Sequence, residues 1–140
     1  MPDTEECMRL TQERALRILQ AAIAKAGEMG VPQCNAVTDD GGYLLAFCRM
    51  DGAKVLSIDS ATRTAMTAAS GRAPTGGVAE EVEAKVAFAP QGKLTNLKGG
   101  LPIQIEGHVV GDIGVGSGTG HQDVEVARAG IAALPGARTW

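Results

Sequence analysis

The sequence predicts an α+β fold in which helices pack on one antiparallel sheet. Two hairpin patterns rich in β-branched residues, at 34–49 and 101–115, predict the strands, and apolar residues at helical spacing around them predict the helices. Hydrophobic residues make up 44% of the chain but aromatic residues only 3%, so the core is expected to be aliphatic. A chain of 140 residues is large enough for a single core, and residues 1–140 are predicted to form one domain.

The first half of the chain is predicted to contain a helix followed by a hairpin. Thr11 is a suitable N-cap, and the apolar helical pattern that follows it runs up to Gly30, where glycine and the nearby Pro32 favour termination. Residues 34–38 and 43–49 are predicted to be strands, because a turn rich in aspartate and glycine separates them.

The second half is predicted to contain three helices and a second hairpin. A helix with a thin face of small residues is expected at 56–70, a short helix at 78–86 and an ordered loop at 88–100. The hairpin strands are expected at 101–105 and 108–115, and a last helix follows the glycine-rich turn 116–120. The helical face of that last helix is apolar as far as Leu134.

Composition argues against several classes of partner. The net charge of −3, the pI near 5.3 and the scarcity of aromatics do not suit a protein that tracks phosphates or stacks bases, so no nucleic acid is expected. The acidic first residues and the lack of a long apolar stretch predict a cytoplasmic protein with no membrane partner. The three cysteines lack metal-binding spacing, so no metal site is predicted.

The glycine-rich unit from Gly99 onward is the predicted ligand site. The doublet Gly99-Gly100 leads into the second hairpin, and glycines 114, 116, 118 and 120 bracket the turn before the last helix. Glycine allows backbone N–H groups to approach a ligand or another strand closely. The alternative interpretation is a tight strand-to-helix connection that binds nothing.

Three segments of this chain together resemble the GlcG/HbpS-type family, whose domain is also called haem-degrading or haem-binding. The first segment, 37–53, reads VTDDGGYLLAFCRMDGA, and the second, 57–68, reads SIDSATRTAMTA. The third combines GGLPI at 99–103 with GDIGVGSGTGHQDVEVARAG at 111–130. With the first helix these segments cover nearly the whole chain.

The resemblance implies an α/β sandwich with a five-stranded antiparallel sheet, assembled as a homo-oligomer. It also implies a small-molecule site beside the GGLPI segment, so that Gly99, Gly100 and Pro102 are predicted to contact the ligand. Because members of the family are linked to haem binding, the ligand is expected to be haem or a related tetrapyrrole. Fold transfers between relatives more readily than function does.

The chain departs from the family's pattern at positions that bear on chemistry. Arg63 stands where the family usually has lysine, and the turn that begins at Gly116 reads Gly-Ser-Gly in place of Ser-Gly-Gly. His121 replaces a glutamate, and Asp112 replaces a small apolar residue. An arginine does not readily lose its proton, so Arg63 is suited to clamp a carboxylate and not to act as a base.

Two arginines are predicted to converge on an anionic ligand. Arg49, at a strand end, and Arg63, on the small-residue helix, each offer a guanidinium fork that binds a carboxylate through two hydrogen bonds. The alternative is an internal ion pair with Asp51 or Asp59.

The haem interpretation requires a side chain that ligates iron. The candidates are His121, His108, Met50 and Tyr43, none of which lies in a recognised haem motif. His121 falls at the start of the last helix, where unsatisfied N–H groups favour an anion. The alternative is a surface histidine that has no ligand.

Two other functions remain open from the sequence. One is a cofactor-free isomerase or lyase acting on a small carboxylate or enolisable substrate, in which the two arginines hold the anion and His121 with Asp112 moves a proton. Backbone N–H groups at Gly99, Gly100 or Gly116 would stabilise the developing oxyanion. The other is a structural oligomer without a ligand, in which the arginines are paired internally.

Overall fold

The structure is a computed structural model that describes residues 2–140. The elements follow the predicted order of helix, two strands, two helices, two strands and helix. They are α1 (Gln12–Met29), β1 (Cys34–Asp39), β2 (Leu44–Arg49), α2 (Ser57–Gly71), α3 (Glu83–Phe88), β3 (Gly100–Ile105), β4 (His108–Gly116) and α4 (Gly120–Ala132). Among these residues, no helix is both long enough and apolar enough to cross a membrane.

Both hairpins belong to one antiparallel sheet with the strand order β2-β1-β4-β3. The two hairpins join through β1 and β4, where Val37 pairs with Ile113 and Ala36 with Gly114. The central strands are therefore far apart in sequence, and the sheet holds the two halves of the chain together. The expected α+β fold with an antiparallel sheet is confirmed.

The sheet has four strands among residues 2–140, so the expectation of five strands is wrong. A single antiparallel bridge joins Ile105 of β3 to Ala137, and the Arg138 N–H donates to the Gln104 carbonyl. Further along the edge of β3, the contact is made by a side chain: the indole N–H of Trp140 donates to the Pro102 carbonyl at 2.7 Å. The last residues thus line the free edge of β3 without forming a ladder.

One face of the sheet carries an aliphatic core beneath α1 and α4. Ile103 and Ile113 of the sheet are fully buried, as are Ile18 of α1 and Val126 of α4. Burial of each such side chain contributes about 1.5–3 kcal/mol relative to exposure. The cap residue Thr11 accepts from Arg14 N–H, and Gly30 adopts φ 71°, so the predicted ends of α1 are confirmed.

The other face lies directly against α2, and glycine makes this approach feasible. A Cβ atom at Gly114 would collide with the carbonyl of Ala61, and one at Gly100 would collide with the carbonyl of Thr64. At these two positions the strands therefore have no room for a side chain. The face of α2 toward the sheet is likewise built from alanines, including Ala65, which is fully buried.

The short third helix begins later than predicted, at Glu83 instead of residue 78. The reason is the Asn96 side chain, whose amide bonds both the N–H and the carbonyl of Val78 at 2.9 and 3.0 Å. These bonds tie the backbone at Val78 to the loop that precedes β3, so it does not enter a helix.

Candidate functional site

Two cavities lie on either side of the segment Lys98–Gly100, at the ends of β3 and β4. The first, called here the polar cavity, has a volume of about 250 Å³. Its lining includes Lys54, Ser57, Ser60, Lys98, Gly116 and Asp123. The second, called here the His121 cavity, has a volume of about 370 Å³. Its lining includes Lys98, Leu101, His121, Val124, Arg128 and Trp140.

The start of α4 supplies residues to both cavities. Thr119 caps this helix by accepting from Gln122 N–H at 3.2 Å, and the Gln122 side chain accepts from Thr119 N–H at 2.9 Å. This reciprocal pair is a capping box, which fixes the first turn. As a result, Gly120 and Asp123 face the polar cavity, and His121 faces the other one.

Asp123 is the acidic group of the polar cavity and is 6% exposed. Burial raises the pKa of its carboxyl to about 6, and the Gly118 N–H bond, the Gln33 amide and the Lys54 ammonium hold the pKa below what burial alone would give. The Gly118 N–H donates to Asp123 Oδ1 at 3.0 Å. The Gln33 amide lies near this carboxylate without a well-formed hydrogen bond. At neutral pH Asp123 is mostly ionised.

The His121 cavity combines an imidazole, an apolar wall and two cationic side chains. Leu101, Val124 and Trp140 form the wall, and Lys98 and Arg128 complete the lining. The Trp140 ring is fixed by its bond to Pro102, and the Arg138 guanidinium stacks 3.8 Å from the ring centroid. The cavity therefore combines side chains suited to apolar contact with side chains suited to negative charge.

The predicted glycines and Pro102 have different positions relative to the cavities. Gly100 lines the His121 cavity and Gly116 lines the polar cavity. The Gly100 N–H, however, donates to Thr75 Oγ1 at 3.0 Å, so it is not free to stabilise an oxyanion. Gly99 and Pro102 are buried, and Pro102 contributes through its carbonyl bond to Trp140.

The structure does not bring the two predicted arginine clamps together. Arg63 pairs with Asp59 one helical turn away, at 2.8 Å, which is the internal ion pair that the sequence left as the alternative. Arg49 is exposed at the end of the edge strand β2. The two arginines lie on separate elements, and neither lines the polar cavity or the His121 cavity.

His121 and Asp112 do not form the expected proton-transfer pair. Asp112 is fully buried under α2, where its neighbours across the sheet are Thr38 and Pro102. Burial raises the pKa of Asp112 to about 8, and neither carboxylate oxygen has a hydrogen-bond partner among residues 2–140. Because His121 opens to the other side of Gly100, Asp112 cannot orient it.

The remaining candidate iron ligands lie outside both cavities. His108 is exposed at the start of β4, and Tyr43 is 76% exposed in the first hairpin turn. Met50 packs against the aliphatic core. Of the four candidates from the sequence, His121 lines the larger of these two cavities, and the other three line neither.

Sequence reasoning missed the lysines and serines of the polar cavity and the cationic lining of the His121 cavity. Lys98 could have been found, because it directly precedes the Gly99-Gly100 doublet. Arg128 follows His121 by seven residues, which places both on one face of a helix. Lys54 and Ser57 gave no local signal, since only the tertiary fold places them beside Asp123.

The fold and the cavities define an α+β protein whose small-molecule cavities open where β3 and β4 meet the start of α4. Within that class, the chain belongs to the family described as haem degrading protein HbpS-like, whose family model matches residues 10–132. The resemblance seen in the sequence is thereby confirmed.

Three comparisons place the chain within this family. It is 39% identical to Protein GlcG of Escherichia coli K12 over 107 residues, which cover 76% of this chain and 80% of GlcG. A double mutant of Streptomyces reticuli HbpS is 35% identical, with a TM-score of 0.84 over 94% of this chain and 91% of HbpS. The structure of a PduOC:haem complex is 25% identical, with a TM-score of 0.86 over 94% of this chain and 99% of PduOC.

Proposed function

We propose that this protein binds haem or a related tetrapyrrole in the His121 cavity. The observation that carries the proposal is the placement of the His121 imidazole in one cavity with an apolar wall and two cations. Imidazole is a common axial ligand of haem iron. The solved PduOC:haem complex, which shares this fold, supports haem as the ligand class.

The lining suits each part of a haem molecule. The imidazole would ligate the iron, and Leu101, Val124 and Trp140 would contact the macrocycle. Lys98 and Arg128 would pair with the propionates, for which arginine is well suited because its fork binds carboxylates through two hydrogen bonds. Bound haem supplies iron redox and ligand chemistry, and the chain's own residues hold and orient it.

A larger concave surface on α3 is a weaker candidate for this ligand. It has a volume of about 650 Å³ and is lined by alanines with Phe88, Gln91 and Gly92. The Phe88 ring is 86% exposed there. This lining offers no imidazole, thiolate, thioether or phenol for iron, and no cation for a propionate.

A haemin titration followed by visible absorbance tests the proposal. We expect the protein to give a saturable Soret shift near one haemin per chain, and His121→Ala to weaken binding at least tenfold and change the band position. His108→Ala is the matched control, because it removes the exposed histidine that lies outside the cavity. Arg128→Ala should weaken binding by a smaller factor, since the iron ligand remains.

Equal haemin affinity in His121→Ala and in the unmodified chain would contradict the proposal. If His121→Ala binds haemin as the unmodified chain does, the ligand does not sit on this imidazole. A titration with no saturable shift would remove haem as the ligand altogether.

We also propose that the chain assembles as a homo-oligomer. Large apolar side chains lie exposed on several elements, including Phe88 at 86%, Leu56 at 84% and Tyr43 at 76%. Burial of these side chains against another chain would remove their apolar surface from water. Light scattering coupled to size exclusion should give a mass that is a multiple of 14.4 kDa, and a monomer mass would contradict the proposal.

A further inference from the structure

The polar cavity carries an excess of positive charge at its rim. Lys54 and Lys98 both line it, and neither forms an ion pair with a carboxylate among residues 2–140. The helices α2 and α4 begin at Ser57 and Gly120, and both of these residues line the cavity. The amino end of a helix carries a partial positive charge. At α2 the Ser57 and Ile58 N–H groups already bond the Lys54 and Val55 carbonyls, so it is the start of α4 and the two lysines that favour an anion.

A hydroxyl that lines the cavity also lacks a partner. Ser57 is 6% exposed and lines the cavity, yet its hydroxyl forms no hydrogen bond with any part of the chain that the structure describes. The hydroxyl therefore opens into the cavity and is available to bond a ligand there. Ser60 adds a second hydroxyl to the lining. Its Oγ lies close to Gly116, because a Cβ atom built at Gly116 would be 2.9 Å from it.

The cavity also contains a hydrogen-bond acceptor, the carboxylate of Asp123, which limits the kinds of anion that can bind. Asp123 Oδ1 accepts from Gly118, whereas Oδ2 accepts no hydrogen bond from residues 2–140. An anion without a hydrogen-bond donor, such as propionate or sulfate, would meet this second carboxylate oxygen and be repelled. A ligand that carries a hydrogen-bond donor beside its anionic group would satisfy Asp123 and the lysines together.

We propose that the polar cavity binds a small carboxylate that carries a hydroxyl or amino group on the adjacent carbon. The carboxylate lies between Lys54, Lys98 and the start of α4, and the adjacent donor bonds Asp123 Oδ2. The volume of about 250 Å³ limits the ligand to a few carbon atoms. This second site is distinct from the proposed haem site, although the two sites share Lys98.

Isothermal titration with four small anions tests the proposal. Lactate and alanine carry the carboxylate and the adjacent donor, propionate has no donor, and phosphate has no carboxylate. We expect lactate or alanine to bind saturably and at least tenfold more tightly than propionate or phosphate. Which of the two binds more tightly identifies the donor as hydroxyl or amino.

Variants of the full chain assign the binding to this cavity. Lys54→Ala should weaken the preferred anion at least tenfold, because it removes one cation and leaves the backbone bonds of Lys54 intact. Asp123→Asn should bring the affinity for lactate or alanine down to that of propionate, since Asn retains the acceptor for Gly118 but loses the charge. The matched control is Lys85→Ala on α3, outside the cavity, which should have no effect.

Three results would overturn the proposal: no saturable binding of lactate or alanine, equal affinity for propionate, or unchanged affinity in Lys54→Ala. His121→Ala is expected to leave anion binding unchanged, and Lys54→Ala to leave haemin binding unchanged. The two assays therefore distinguish a failure of the proposed haem site from a failure of the proposed anion site.

Discussion

The two faces of the sheet are built on opposite principles. Beneath α1 and α4, isoleucine, leucine and valine side chains fill the space between the layers. Beneath α2, glycines such as Gly114 and Gly100 leave no space, and the buried polar residues Thr38 and Asp112 lie on the same face. One face is stabilised by burial of large side chains, and the other by the close approach of small residues such as Ala36 and Ala65.

The difference between the faces carries over to the two cavities. The polar cavity is an extension of the α2 face, because Gly116, Ser57 and Ser60 lie where the helix begins to leave the sheet. The His121 cavity extends the aliphatic face, because Leu101 belongs to the core and also lines the cavity. Each cavity therefore has the chemical character of the face from which it opens.

Truncating a core side chain should give the largest loss of stability. Ile113 is fully buried on the aliphatic face, against Gly130 of α4. We expect Ile113→Ala to lower the free energy of unfolding by about 2–5 kcal/mol and Ile113→Val by about 0.5–1.5 kcal/mol. Urea unfolding measures both values. If Ile113→Ala costs less than Ile113→Val, this face is not packed as described.

Adding a methyl group at Gly114, the residue after Ile113, should also destabilise the protein. The cause here is a steric clash, whereas truncation of Ile113 leaves a cavity. Gly114→Ala places a Cβ atom against the carbonyl of Ala61, so α2 must move away from the sheet. We expect a loss of about 1–3 kcal/mol in the same urea assay. Gly27→Ala is the matched control, because a Cβ atom at this helical position has no neighbour within 4 Å and should stabilise the protein by about 0.5–1 kcal/mol. A neutral Gly114→Ala would show that the α2 face has spare room.

The buried carboxyl of the α2 face should make stability depend on pH. The pKa of Asp112 is about 8 in the folded chain and 3.8 as its ordinary value, so between these values the folded state holds one more proton than the unfolded state. The free energy of unfolding should therefore fall as pH rises, by about 1.4 kcal/mol per pH unit. Below pH 3.8 this contribution is fully present, and above pH 8 it is lost.

The interval from pH 6.5 to 8 isolates Asp112, because Asp123 titrates near pH 6. Urea unfolding at several pH values should show the falling slope in the unmodified chain. The Asp112→Asn variant should be flat over that interval, since its amide does not titrate. The same slope in both proteins would mean that another group is responsible.

The parts of the fold with local signals were predictable. The end of α1 at Gly30 follows from glycine's tolerance of positive φ, and the hairpin turn at 39–42 follows from its Asp and Gly residues. The prediction of a fifth strand was wrong, because it came from the resemblance alone. In this chain the side chain of Trp140 lies along the free edge of β3.

The candidate site was only partly predictable, because most of its geometry is tertiary. His121 was found from its position at a helix start, and Gly100 and Gly116 from their glycine pattern. The spacing of Asp59 and Arg63 already allowed the ion pair that forms, which the sequence left as the alternative to a carboxylate clamp. Lys54 and Asp123 lie far apart in sequence, and only the pairing of β1 with β4 brings their neighbourhoods together.

The most direct test of the proposed function is to locate the iron in crystals of the haemin complex by anomalous diffraction at the iron absorption edge. We expect one strong peak per chain within bonding distance of the His121 imidazole, with the macrocycle against Leu101, Val124 and Trp140. An iron peak bonded to any other residue, or bound at the α3 surface around Phe88, would contradict the assignment of haem to the His121 cavity.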